Sequence, residues 1–228
     1  MIHDFHTHSF FSDGVLLPSE LIRRAHVAGY GAIAITDHAG PGNVEEVIDA
    51  LHRECEVARA HWSIVALPGV EITHVPPGAI ASIARRARAA GAAVVVVHGE
   101  TVTEPVEPGT NAAAAECDEV DILAHPGLLS DADATMAARR GCFIELSARK
   151  GHAYANGHVA KVAMATGARM LVNSDGHEPG DLLTAKLIDT VLRGAAVPIA
   201  LHESIVTTNA HAMLATASTR VGTSLAPK

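Results

Sequence analysis

Short apolar runs alternate with longer amphipathic stretches along most of the 228-residue chain. The runs are rich in Val and Ile, and most follow a Gly or a charged residue, which is typical of buried β-strands. A helix-like stretch lies between most of them. Seven runs of this kind predict strands at 2–5, 31–36, 63–71, 92–98, 120–125, 142–146 and 168–173.

The stretches between the runs carry helix start and stop signals. Residues 18–29 begin with Pro and Ser and end at a Gly, as helices commonly do. Similar patterns predict helices at 43–61, 77–91, 130–141, 157–167, 181–195 and 209–218. Because parallel strands are joined by helical crossovers, strand–helix units in series predict an α/β fold, either doubly wound or closed into a barrel.

The polar residues at the strand ends favour the barrel. A parallel barrel builds its site at the carboxyl ends of all its strands, whereas a doubly wound sheet uses one crevice. The run at 142–146 contains Glu145, and the other six end at or near a possible metal ligand. These residues are His6, His8, Asp37, His38, Glu71, His98, His125, Asp175 and His177. A ring of ligands from every strand end predicts a closed or nearly closed barrel.

The chain is predicted to form a single domain over residues 1–228. Its length is ordinary for one α/β barrel, and no long linker or repeat interrupts it. The barrel core is expected over about 2–195, and a C-terminal helix and tail over 196–228. Residues 221–228 are predicted to form a frayed end.

Charge and composition exclude several classes of partner. The chain has 17 Lys and Arg against 25 Asp and Glu, a formal net charge of -8, and only 3% aromatic residues. These values argue against binding of long nucleic acids or anionic membranes. No secretory signal or membrane-spanning run is visible, so a cytoplasmic protein is predicted. The oligomeric state is left open.

The abundance of His points to metal chemistry. The chain has 15 His, whereas its three Cys are widely spaced and form no CxxC pair. His6 and His8 would share one face of a strand, Asp175 and His177 repeat that spacing, and Glu71 can bridge two cations. Imidazoles and carboxylates without thiolate suit Zn, Mn, Fe or Co. Either pair alone is a weak signal, but the joint pattern indicates a metal cluster.

The motifs that carry these residues resemble a known series. HTHSFFSDG at 6–14, TDH at 36–38, GVE at 69–71, HG at 98–99, HP at 125–126 and SDGH at 174–177 resemble the motifs of the polymerase and histidinol phosphatase (PHP) family. The resemblance covers residues 2 to about 180. It implies a distorted (β/α)7 barrel that holds two to three divalent ions, Zn, Mn or Fe, and hydrolyses phosphoesters.

The resemblance also implies which residues hold each ion. The first ion would be held by His6, His8, Glu71 and Asp175. The second would be held by Asp13, His38 and His177, and the third by His98 and His125, with Glu71 bridging the third to the first. Some members with three ions have His where this chain has Asp13, so metal preference is open.

The predicted activity is that of a metal-dependent phosphoesterase. The stretches 98–111 and 145–163 resemble a stand-alone histidinol-phosphatase-like subgroup, which implies a phosphomonoesterase that uses metal-activated hydroxide on a small phosphorylated metabolite. One alternative is a nucleotide phosphoesterase or exonuclease; another is a non-catalytic metal-binding or partner-binding domain. The residues expected to take part in catalysis, through the ions that they hold, are Glu71, Asp13 and His177.

Several other polar residues are candidates for supporting roles. Arg149 and Lys150 follow the sixth run and are expected either to bind phosphate or to lie in a solvated loop. His74 is expected either to orient Glu71 or to be exposed, and Asp4 to support His6 and His8. The weaker candidates are His152 and His158, a surface loop with Glu100, Glu104 and Asn111, and a solvated helix face with Arg85, Arg86 and Arg88.

Overall fold

The computed structural model describes residues 1–222, in which parallel strands form one curved sheet. The strands are β1 Ile2–Asp4, β2 Tyr30–Ile35, β3 His38–Ala39, β4 Val65–Ile72, β5 Val94–His98, β6 Ile122–Ala124, β7 Phe143–Ser147 and β8 Met170–Asn173. They are ordered β1-β2-β4-β5-β6-β7-β8, and β3 pairs only with β4. The seven predicted strands are confirmed, and β3 is too short to show a periodic pattern.

Helices follow the strands and pack on the outside of the sheet. They are α1 Pro18–Val27, α2 Val44–His61, α3 Pro77–Ala89, α4 Thr110–Glu116, α5 Asp131–Arg140, α6 Asn156–Thr166, α7 Ala185–Gly194, α8 Ile199–Glu203 and α9 Ala210–Arg220. The unpredicted α4 is mostly Ala and lacks an apolar stripe, and the unpredicted α8 is only 5 residues long. Within residues 1–222, no helix is both long and apolar enough to cross a membrane. Most of the predicted frayed tail lies outside the described residues.

The first and last strands meet and nearly close the barrel. Thr7 and Gly176 form a parallel bridge just beyond the ends of β1 and β8. The Asp175 amide donates to the His6 carbonyl, and the His8 amide donates to the Gly176 carbonyl, both at 2.9 Å. The predicted nearly closed α/β barrel is therefore confirmed, and its seam places both ends of the ligand series side by side.

Apolar side chains fill the barrel on both faces of the sheet. Val94 and Val96 of β5 face the inner cluster, and Val95 and Val97 face the layer of helices, which explains the unbroken Val run. Met213 and Leu214 of α9 belong to the inner cluster. Because α9 covers the amino ends of the strands, the opposite end is left for the polar site.

A buried ion-pair network anchors α9 at the amino end of the barrel. Asp121 accepts hydrogen bonds from Arg220 and from the Val95 amide, each at 2.9 Å, and it also pairs with Arg88. The Arg88 side chain is only 12% exposed. The prediction that Arg88 lies on a solvated face is therefore wrong, whereas the half-exposed Arg86 pairs with Glu45.

Loss of the Asp121 carboxylate is expected to destabilise the protein strongly. In Asp121→Ala, Arg88 stays buried with only the longer contact to half-exposed Glu119, at 3.6 Å, to balance its charge. Loss of the close partner of a buried charge typically costs about 3–5 kcal/mol. Urea unfolding followed by circular dichroism measures the loss. Asp118→Ala is the matched control, because it removes only an exposed pair with Arg140 and should cost under about 0.5 kcal/mol. Equal effects of the two substitutions would contradict the anchoring role of Asp121.

Candidate metal centre

Two imidazoles that follow β1 face one carboxylate of β4 and one that follows β8. His6 and His8 follow β1, and their rings lie 5.0 Å apart. His8 Nε2 lies 3.4 Å from an Asp175 oxygen, and His6 Nε2 lies 3.4 Å from Glu71 Oε1. All four side chains are buried. The structure thus brings together the four residues predicted for the first ion.

The residues predicted for the second ion meet beside this group. Asp13 Oδ1 lies 3.0 Å from His177 Nε2 and 3.4 Å from His38 Nε2. Asp13 is the most exposed of the predicted ligands, with 54% of its side chain accessible. His8, Asp13, His38 and His177 each offer a ligand atom within 4.8 Å of the others. This arrangement is open to solvent on the Asp13 side.

The residues predicted for the third ion lie at the carboxyl ends of β5 and β6, where His98 ends β5 and His125 follows β6. The rings of His98 and His125 lie 4.5 Å apart, and His125 Nε2 lies 3.3 Å from Glu71 Oε1. His98 Nδ1 lies 3.2 Å from the Gly99 carbonyl, so Nδ1 is the donor and a neutral ring leaves Nε2 to bind an ion. Glu71 therefore contacts the first and third groups, as a bridging carboxylate must.

The buried polar atoms of the cluster fit divalent cations. Among residues 1–222, His6 Nε2, both ring nitrogens of His8 and Glu71 Oε1 are buried without a hydrogen-bond partner. Leaving such atoms unpaired in a protein interior costs free energy. Cations that accept these lone pairs would offset that cost, and the mixture of nitrogen and oxygen donors suits Zn, Mn or Fe.

The charges of the cluster are tightly coupled. Burial alone would raise the pKa of Glu71, but the imidazoles of His6, His38 and His98 outweigh it and hold that pKa well below its usual range. Burial alone would lower the pKa of His6, but Glu145, Glu71 and Asp175 outweigh it and hold that pKa well above its usual range. Ionised carboxylates thus surround a basic imidazole. A metal ion that binds this imidazole displaces its proton.

Backbone strain is concentrated at the same place. Among the described residues, positive φ occurs outside Gly at four positions, and three of them belong to this region. They are His74 at 50°, His125 at 26° and Asp175 at 52°. Such conformations persist where the surrounding structure holds them, and they cluster at functional sites.

Comparisons with known proteins agree with this geometry. The family model of the PHP domain matches residues 4–101, which include the first six of the predicted ligands. An uncharacterized protein of Methanocaldococcus jannaschii is 45% identical over 198 residues, which cover 86% of this chain and 91% of that protein. The chain belongs to the PHP domain family.

Two other likenesses of this PHP domain are more limited. A 5'-3' exoribonuclease of Haemophilus influenzae is 37% identical over 71 residues, which cover 31% of this chain and 23% of the relative. A histidinol phosphate phosphatase of Lactococcus lactis matches in structure with a TM-score of 0.58 at 14% identity, over 85% of this chain and 93% of that one. The second likeness shows a shared fold.

Glu145 supports the cluster in a way that the sequence did not reveal. Its Oε2 accepts hydrogen bonds from His6 Nδ1 at 2.7 Å and from Asn173 Nδ2 at 2.9 Å. This contact directs His6 Nε2 towards Glu71 and raises the basicity of the ring. Asp4 acts on the backbone instead, since it accepts from the amides of His6 and Ser174. The sequence signal that could have identified Glu145 was its position on the inward-facing side of the predicted strand at 142–146.

Asp37 also has a supporting place in this PHP domain. It follows β2, but its oxygens accept hydrogen bonds from the Ser9 amide at 2.7 Å and from the hydroxyls of Ser9 and Ser12 at 2.6 Å. These bonds fix the loop that carries Asp13. Asp37 therefore holds the second group of ligands in position from outside it.

A cavity of about 470 Å³ opens above the cluster. Arg149 lines it and donates to His177 Nδ1 at 2.6 Å and to the Asp175 carbonyl at 3.2 Å. Lys150 is exposed and is not among the lining residues, so the structure separates these two candidates. His74 and Glu104 line the rim and contact each other at 3.2 Å.

The other weak candidates fall into two groups. His152 and Glu104 both line the cavity. The sequence had indicated only a weak candidate at His152 and a surface loop at Glu104. Glu100 and Asn111 instead organise the start of α4, where Glu100 Oε1 accepts from the Asn111 amide at 2.9 Å. His158 lies on α6, with Nε2 2.8 Å from the Leu129 carbonyl, and has no place at the cluster.

Proposed function

We propose that this PHP domain is a metal-dependent phosphomonoesterase acting on a small phosphorylated metabolite of the histidinol phosphate kind. The observation that carries the proposal is the convergence of buried imidazoles and carboxylates on one cavity, with the Arg149 guanidinium in its wall. The substrate class is taken from the Lactococcus lactis neighbour, which was solved with zinc, L-histidinol and phosphate.

The proposal assigns two to three divalent ions, Zn, Mn or Fe, to the three groups of side chains. The proposed ligands are His6, His8, Asp13, His38, Glu71, His98, His125, Asp175 and His177. Bound divalent cations supply positive charge for the phosphate oxygens and lower the pKa of water towards ~7, which makes hydroxide available at neutral pH.

The chain's own residues organise this chemistry. Glu71, buried between the groups, would hold the ions of the first and third sites. Asp13 and His177 line the cavity at the second site, which is open to solvent on the Asp13 side. Arg149 donates into the same cavity wall and provides the charge that a phosphate needs beyond the ions.

A nucleotide phosphoesterase is the second candidate function. It is favoured by the partial likeness to the exoribonuclease, which is confined to about a third of this chain. The net charge of -8 argues against long polynucleotides, so a short nucleotide is the substrate of this second candidate.

A panel of phosphoesters distinguishes the two functions. The wild-type protein, loaded in turn with Zn, Mn and Fe, is incubated with histidinol phosphate, other small phosphomonoesters, mononucleotides and a short oligonucleotide, and free phosphate and chain length are measured. Phosphate release that is fastest from a small metabolite monoester supports the proposal. Fastest cleavage of nucleotides favours the second candidate, and no release from any member with full metal loading indicates a binding domain.

Arg149→Ala is expected to lower kcat/KM for a phosphomonoester by roughly 10- to 100-fold, because a charge-assisted contact to phosphate is worth about 1.5–3 kcal/mol. A phosphodiester has one charge fewer, so its hydrolysis should change much less. Steady-state kinetics on both substrates at saturating metal measure the difference. Lys150→Ala is the matched control, since Lys150 is exposed. Equal losses on both substrates, or none, would contradict a phosphate-binding role for Arg149.

A further inference from the structure

Two loops add further donors above His98 and His125. Glu104 lies between β5 and α4, and His152 begins a one-turn helix, His152–Ala155, after β7. His152 is buried and its ring lies 4.0 Å from that of His125. His98, His125 and His152 each offer a nitrogen within 4.8 Å of the other two. A third imidazole thus meets the pair predicted for the third ion.

The hydrogen bonds of these imidazoles fix which nitrogens face the group. His152 Nδ1 lies 2.7 Å from Asp175 Oδ2, a carboxylate oxygen that can only accept, so Nδ1 carries a proton. His98 Nδ1 is likewise committed to the Gly99 carbonyl. In both neutral rings the free lone pair is therefore on Nε2. A His held through its other nitrogen by a carboxylate or carbonyl is the usual arrangement of a metal ligand.

The two Nε2 atoms converge on a carboxylate. His152 Nε2 lies 3.0 Å from Glu104 Oε1, and His98 Nε2 lies 3.2 Å from Glu104 Oε2. A neutral imidazole lone pair and a carboxylate oxygen both accept, so each of these contacts needs either a second proton on the ring or a cation between the two acceptors. A cation that receives electrons from all three groups resolves this conflict without charging the rings.

We propose that His152 and Glu104 complete the third metal site, whose ion is held by His98, His125 and His152 together with a Glu104 oxygen and the bridging Glu71. The inference rests on the proposed metal centre and deepens it. The two added donors come from loops rather than strand ends. A site with three imidazoles favours Zn or Fe over Mn, and loss of one of its donors should speed the release of its ion.

His152→Asn separates a ligand from a residue that only positions Asp175. The Asn amide can still donate to Asp175, but it places no ring nitrogen near Glu104. Both proteins are saturated with Zn and then placed in a chelator, and elemental analysis follows the zinc that remains per chain. We expect one zinc per chain to leave about 10- to 100-fold faster from His152→Asn, and a smaller acceleration in Glu104→Gln. His158→Asn is the matched control and should release zinc like the wild type.

Co(II) substitution gives a second reading of the same site. Loss of a nitrogen ligand should change the visible absorption of the Co(II)-loaded protein, whereas a positioning role would leave its bands in place. Identical zinc release and spectra in His152→Asn and the wild type would overturn the inference while leaving the metal centre intact. Zinc release that is faster in His152→Ala but returns to the wild-type rate in His152→Asn would overturn it, because His152 would then only position Asp175. A wild type that binds less than one ion would overturn both proposals.

Discussion

Glu71→Gln is expected to lower turnover on the order of 10³-fold or more while the barrel stays folded. Glu71 is fully buried and contacts imidazoles of all three ligand groups, at 3.4 Å to His6, 3.3 Å to His125 and 2.8 Å to His38. The Gln amide keeps the shape but removes the charge and one oxygen donor. A bridging ligand serves two ions at once, so both lose affinity together.

The measurements for Glu71→Gln are phosphate release and metal content of the same preparation. Glu56→Gln on the exposed face of α2 is the matched control and should behave as the wild type. Circular dichroism checks that the fold is retained. Turnover near that of the wild type with full metal occupancy in Glu71→Gln would contradict the bridge.

Removal of divalent metal is expected to abolish hydrolysis, and Zn, Mn or Fe should restore it. Without the ions, the cluster retains a charged His6 among carboxylates and has no source of hydroxide at neutral pH. Elemental analysis before and after chelation should show two to three ions lost per chain. Less than one ion per chain in protein purified without chelator, unrestored by added metal, would refute the centre.

The raised pKa of His6 predicts how removal of metal by a chelator depends on pH. Burial disfavours charge on His6, but Glu145, Glu71 and Asp175 outweigh it and raise its pKa well above the usual range, so protons compete with metal for this ligand. Metal binding releases protons, and the apparent metal affinity therefore falls as pH falls. Chelation at about pH 6 should strip the protein faster than at about pH 8. An opposite dependence would show that His6 is not a ligand.

The strands and most of the site follow from the sequence because they depend on local patterns. A Val-rich run such as β5 predicts a buried strand wherever it packs, and the carboxyl ends of parallel strands necessarily share one end of a barrel. His98 and His125 could therefore be placed together although 26 residues separate them. The motif resemblance then added Asp13, whose loop has no periodic signal of its own.

Contacts made by loop residues and by opposite sides of one helix could not be predicted from such local patterns. His152 and Glu104 meet only because loops after β5 and β7 bend over the same cavity, and no spacing rule fixes such a contact. Arg86 and Arg88 are two positions apart, so a helix turns them about 200° away from each other. Arg86 therefore reaches exposed Glu45, whereas Arg88 reaches buried Asp121.

The seam between β1 and β8 has a consequence for the order of events during synthesis. Across it, the Phe5 amide bonds to the Asn173 side chain at 3.0 Å, and 168 positions separate the two residues. A nascent chain that has not yet produced β8 exposes the free edges of β1 and β7, which are sites for pairing with other chains. Assembly of the first and second proposed ligand groups must wait for Asp175 and His177, so metal uptake at these two groups would report that the barrel has closed.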